Sequence, residues 1–173
     1  MSSEPTGRRE RRAEEDYVVF TRTFRAPIED VWAAVTEPAR LERWVGTWSG
    51  EPRSGQVQFR MTAEAEDAPE ETQRIEVCDP PRRLVTRSTT PDSEDGPEVD
   101  WLLDLELSES DGVTTLTFAQ AMPSAEMAAS VGPGWDYYLD RLVAAETGGD
   151  VEAIDFDSYY PLHAEHYRAM FAG

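Results

Sequence analysis

The chain has 173 residues, 39% of them hydrophobic and 10% aromatic, which is enough to close one core and too little for two. Its formal charge of −19 at pH 7 repels phosphate backbones and anionic lipid surfaces, so neither nucleic acid nor a membrane is an expected partner. A single cysteine excludes an internal disulfide and fits a reducing, cytoplasmic setting, and no apolar run approaches the roughly 20 residues of a membrane span.

Residues 1–15 mix arginine and glutamate without periodicity and carry no apolar segment. They read as a disordered, solvated tail rather than as a secretory signal or an anion site. From Asp16 the pattern turns β: Tyr17 to Phe24 is aromatic and β-branched, with Val18, Phe20 and Phe24 on one side. Pro27 then suits a first helical turn, and Ile28, Val31, Trp32 and Val35 recur at helical spacing. Pro38 ends that helix, and Leu41 and Trp44 mark a second short one.

Strands follow. Val57, Phe59 and Met61 alternate with Gln56, Gln58 and Arg60, and Ile75 and Val77 alternate with charged neighbours. Asp79-Pro80-Pro81 separates this strand from Arg83–Ser88, and Cys78, at the strand end, reads as a buried structural thiol. Thr90–Pro97 is a polar loop. Val99, Trp101, Leu103, Leu105 and Leu107 then share one face, with Asp100, Asp104 and Glu106 turned to solvent. Asp111-Gly112 turns the chain into Val113–Gln120, a strong hairpin signal.

Helix returns near the C-terminus. Ser124 is expected to cap a short helix broken at Gly132-Pro133-Gly134, after which Trp135, Tyr138, Leu139, Leu142 and Val143 form an apolar stripe ending at Gly148-Gly149. Tyr159–Phe171 reads as a small helix carrying both histidines.

A strand, two short helices, a meander of strands and a long helix resemble the START-like (SRPBCC) superfamily. The resemblance is to the branch named for the activator of the Hsp90 ATPase. Its residues are Ala26-Pro27-Ile28-Glu29-Asp30-Val31-Trp32, Leu41-Glu42-Arg43-Trp44 and Gly134 to Leu142. It implies an α+β helix-grip fold, a curved antiparallel sheet with two short helices and a long C-terminal helix around a cavity. The division expected is a tail over 1–15, the domain over 16–147 and an extension over 148–173. Members of the superfamily bind apolar or amphipathic small molecules, and a minority are cyclases, aromatases or hydrolases.

The candidate cavity residues are Trp32, Trp44, Phe59, Met61, Trp101, Leu103, Met122, Trp135, Tyr138, Leu139 and Leu142. Any one of these is more often core filler than ligand contact, but large apolar pockets with few polar groups are the usual ligand sites. His163 and His166 lack a convincing third ligand, so no metal and no cofactor is expected. Arg74 and Arg87 reach a ligand carboxylate only if they point inward; ion pairs at the surface are the better reading. No phosphate loop, nucleophile elbow or Cys/His pairing supplies a catalytic group.

The expected function is therefore binding of a hydrophobic or amphipathic small molecule, by a monomer or homodimer. The alternatives are a cyclase or aromatase acting on a polyketide-like substrate, and a chaperone-related interaction protein.

Overall fold

The computed structural model describes residues 4–91 and 98–172, without the side chains of 89–91 and 98–100. Residues 92–97 of the expected polar loop thus lie outside the described residues. Eight strands form one sheet: β1 (Arg8–Arg12), β2 (Glu15–Phe24), β3 (Thr47–Ser49), β4 (Gln56–Arg60), β5 (Glu70–Asp79), β6 (Arg83–Pro91), β7 (Glu98–Ser110) and β8 (Val113–Ala121). Their order is β1-β2-β8-β7-β6-β5-β4-β3. The helices are α1 (Ile28–Thr36), α2 (Pro38–Leu41), α3 (Ala125–Thr147) and α4 (Ala164–Phe171). The chain separates into two compact units, Thr23–Leu116 and a second one made of Met1–Arg22 with Thr117–Gly173.

In the unit spanning 23–116, side chains from elsewhere in the chain finish α1 at both ends. Pro27 has no side chain to cap the helix, and Glu109 accepts the Ile28 N–H at 2.6 Å instead. At the other end the indole N–H groups of Trp44 and Trp48 donate to Ala34 and Thr36 carbonyls at 3.0 and 2.7 Å. These are carbonyls that a helix terminus leaves without partners. Pro38 stops α1 and occupies the first turn of α2, where its missing N–H is harmless. Asp111 and Gly112, at φ of 52° and 79°, form the tight turn between β7 and β8.

In the other unit two expectations are corrected. The tail is not unstructured throughout, since Arg8–Arg12 pairs antiparallel with β2. Charge complementarity and ring contacts hold it. Arg9 and Arg11 reach Asp16 at 2.9 and 3.5 Å, and the Arg12 guanidinium lies 5.1 Å from the Tyr17 ring centre. The Arg9 hydrogen bond holds the Asp16 carboxyl below its usual range. A row of charges on the outermost strand also discourages a further strand from adding there.

The second correction concerns α3, which runs unbroken through Gly132-Pro133-Gly134. Proline removes one helical hydrogen bond but does not force a break where packing holds the backbone. Here Pro133 is fully buried, and Gly132 lies against the Tyr167 ring so closely that a Cβ would sit 2.4 Å from it. Ser124 caps this helix as expected, accepting the Met127 N–H at 3.1 Å. Tyr17 to Phe20 are all buried, so β2 is covered on both faces and not on one.

Candidate functional site

The register of β4 to β7 sorts their side chains into two faces. Val57 lies opposite Gln73 and Phe59 opposite Glu71, while Ile75 pairs with Thr86. Thr86 in turn faces Leu103, Leu84 faces Leu105, and Ser88 faces Trp101. Because side chains alternate along each strand, Val57, Phe59, Glu71, Gln73, Ile75, Leu84, Thr86, Ser88, Trp101, Leu103 and Leu105 share one face. Leu105 and Ser88 are buried, yet Val57, Phe59, Ile75, Leu84, Trp101 and Leu103 are only half-buried. The face is apolar but incompletely covered.

The opposite face is charged. Arg60 pairs with Glu70 at 3.1 Å, and Arg83 with Asp104 at 2.9 Å. Arg74 and Arg87 lie opposite one another there, and Arg87 reaches Glu76 at 3.2 Å. Arg60, Arg83 and Arg87 therefore make ion pairs on this face, and Arg74, exposed beside them, does not point toward the apolar side either. Asp104 does not meet solvent as expected: it is buried beneath the Arg83 guanidinium, which it accepts through both oxygens.

Two polar groups interrupt the apolar face. Gln73 Oε1 is buried with no hydrogen-bond partner among the described residues. A buried amide oxygen left so is costly, which makes it uncommon in a finished core. Two positions earlier on β5, burial and the nearby Glu64 charge push the Glu71 carboxyl above its usual range. Neither residue was singled out from the sequence. Counting back by twos from Ile75 places both on its face, and that was the available signal.

A sequence-family model matches residues 25–146, described as activator of Hsp90 ATPase homolog 1-like protein. The chain belongs to that family. The activator-of-Hsp90-ATPase-like segment contains α1 to β8 entire and most of α3, so it includes every strand of the apolar face. No curated protein sequence matches the chain significantly. Among solved structures, CalU16 from Micromonospora echinospora is 26% identical in its crystal structure, covers 100% of both chains and superposes with a TM-score of 0.74. DynU16, a protein of the dynemicin biosynthetic locus, is 25% identical over 84% of this chain and 50% of its own, with a TM-score of 0.62. A Bordetella parapertussis protein encoded by gene BPP1335, 21% identical over 99% of this chain and 94% of its own, shares the fold at a TM-score of 0.68.

Within this family fold the expected cavity residues separate into two sets by unit. Trp32, Phe59, Met61, Trp101 and Leu103 are half-buried in the 23–116 unit, whereas Trp44 there is buried with its N–H satisfied by Ala34. In the other unit Met122, Tyr138, Leu139 and Leu142 are buried, and only Trp135 stays half-buried. The Trp135 ring lies tilted against Phe118, with centroids 4.5 Å apart, and donates its N–H to Gln120 Oε1 at 2.5 Å. The Gln120 amide nitrogen is buried without a partner among the described residues, a third polar group, after Glu71 and Gln73, that the sequence does not single out.

Cys78 is exposed rather than buried; it lies beyond the register shift that β5 makes against β6 between Ile75 and Val77. His163 is buried against Tyr159 and His166 exposed beside Tyr167. Among the described residues no group of three or more His, Cys, Asp or Glu side chains converges, and no helix is long and apolar enough to cross a membrane.

Proposed function

We propose that the protein binds a hydrophobic or amphipathic small molecule against the apolar face of β4 to β7. One observation carries this reading: six large apolar side chains of that face are only half-buried, with a buried, unpartnered amide oxygen among them. Covering such a face with a ligand removes apolar area from water, at roughly 25 cal/mol per Å². A few polar groups on the same face would set the ligand's orientation. The likeness to DynU16 directs the search toward compounds of the kind a biosynthetic locus makes.

A cyclase or aromatase reading has one observation in its favour. Glu71 sits on the apolar face with its carboxyl pushed up, as a general acid or base requires. The first test is native mass spectrometry of the purified protein, then denaturation and extraction. The expected result is a reproducible added mass of a small organic molecule, released on unfolding. A clean apo mass, together with no binding from a panel of aromatic polycycles, would remove the binding reading. Recovery of a candidate compound in altered form after incubation would favour the enzyme.

A further inference from the structure

The polar groups on the apolar face differ in kind from those on the face behind it. Arg60, Arg74, Arg83 and Arg87 all belong to the charged face. On the apolar face of β4 to β7 the described residues include no arginine; its polar members are Glu71, Gln73, Thr86, Ser88 and, at the far end of β7, Glu109, which is occupied by the Ile28 N–H. A ligand carboxylate or phosphate seated there would meet no cation from these four strands. It would instead meet the Glu71 carboxyl, inside a molecule whose formal charge is −19.

Gln73 Oε1 is a pure acceptor, already desolvated and unpartnered. What it lacks is a donor. A hydroxyl presented by the ligand would complete it, and the half-buried Phe59 and Trp101 rings offer flat apolar surface to an aromatic body.

We infer that Gln73 and Glu71 form a recognition site for a neutral, hydroxyl-bearing aromatic polycycle, with the ligand's O–H donating to Gln73 Oε1 and anionic ligands rejected. This rests on the binding reading above and narrows it: carboxylate lipids are excluded, and one hydrogen bond sets the preference. Glu71 flanks the same donor and accepts a second hydroxyl when ionised. Protonated, as its upward shift favours in acid, it donates instead to a ligand carbonyl.

The site also predicts an unusual pairing of effects. A residue kept for packing should destabilise the protein when replaced. Gln73→Leu removes an unpartnered buried oxygen and adds apolar contact, so the free protein should hold or raise its melting temperature. Affinity for the hydroxylated ligand should fall in the same variant.

The experiment compares 2-naphthol, naphthalene and 2-naphthoate by isothermal titration calorimetry, with unfolding followed in parallel. Wild type should prefer 2-naphthol to naphthalene by roughly tenfold, the scale of one well-made buried hydrogen bond, and should not bind 2-naphthoate. Gln73→Leu should bind the two neutral compounds equally. Equal binding of all three by wild type, retention of the preference in Gln73→Leu, or a lowered melting temperature in that variant would each overturn the inference while leaving small-molecule binding in place. If wild type binds none of the three, the inference fails; a clean apo mass besides would take the binding reading with it.

Discussion

Tyr167 shows how far one side chain can tie distant parts of a sequence together. Its ring lies against Gly132 of α3 and Gly7, where an added Cβ would sit 2.4 and 2.8 Å from it. Its hydroxyl donates to Asp136 Oδ2 and accepts the Gly7 N–H at 2.9 Å. Asp136 is buried, and it also takes the Thr6 N–H and hydroxyl and an Arg22 N–H at 3.3 Å. Burial and the Asp136 charge push the Tyr167 hydroxyl far above its ordinary value. Tyr167→Phe should lower the unfolding free energy by about 1–3 kcal/mol, since it leaves Asp136 and the Gly7 N–H short of a partner in a dry place. The sign with pH follows from the raised value: the contribution is complete below about pH 10, where unfolded tyrosine keeps its proton. It declines as pH rises further, because the unfolded chain ionises while the native Tyr167 does not. Urea unfolding at about pH 8 and about pH 11 should therefore show the gap between wild type and Tyr167→Phe narrowing. A gap that widens in alkali would contradict the burial of this hydroxyl.

At the scale of elements, α3 sets local propensity against packing, and packing wins. Glycine and proline together in Gly132-Pro133-Gly134 read as a break, yet the helix passes through them because Tyr167 needs the space that Gly132 leaves. Gly132→Ala should for this reason destabilise the protein, although alanine is the better helix former by about 1 kcal/mol. Overpacking of this kind typically removes about 1–3 kcal/mol, readable as a lowered denaturation midpoint. A raised midpoint would mean that the Tyr167 ring moves aside freely.

The same contrast governs what could be read in advance. Alternation located β4 and β7, and with them Phe59, Trp101 and Leu103, because a half-buried strand writes its burial into every second residue. It missed Glu71 and Gln73 because polar residues on an apolar face look, in sequence, like the solvent side of a strand. It missed β1 because its pairing depends on Asp16 and Tyr17, and a run of charges carries no periodicity to reveal such partners.

At the scale of the molecule, charge is the dominant fact. Thirty-five acidic residues face sixteen arginines, an excess that the formal charge of −19 records. Two effects of salt oppose each other. Screening weakens the ion pairs, but pairs such as Arg9–Asp16 at 2.9 Å and Arg40–Asp30 at 2.9 Å are shorter than the Debye length even at about 0.5 M. Exposed pairs of this type contribute only about 0–1 kcal/mol each in any case. Repulsion among the unpaired carboxylates acts over longer distances, where a Debye length falling from about 30 Å at 0.01 M to a few ångströms near molar salt removes most of it. Repulsion should therefore be the larger loss, and the melting temperature should rise steadily from about 0.01 M to about 0.5 M sodium chloride. A melting temperature that falls over this range would show that the arginine pairs outweigh the field of the whole surface. The same titration bears on the ligand. A neutral hydroxyl-bearing compound should bind with nearly constant affinity across that range, whereas a cationic one should weaken as the acidic field that draws it in is screened.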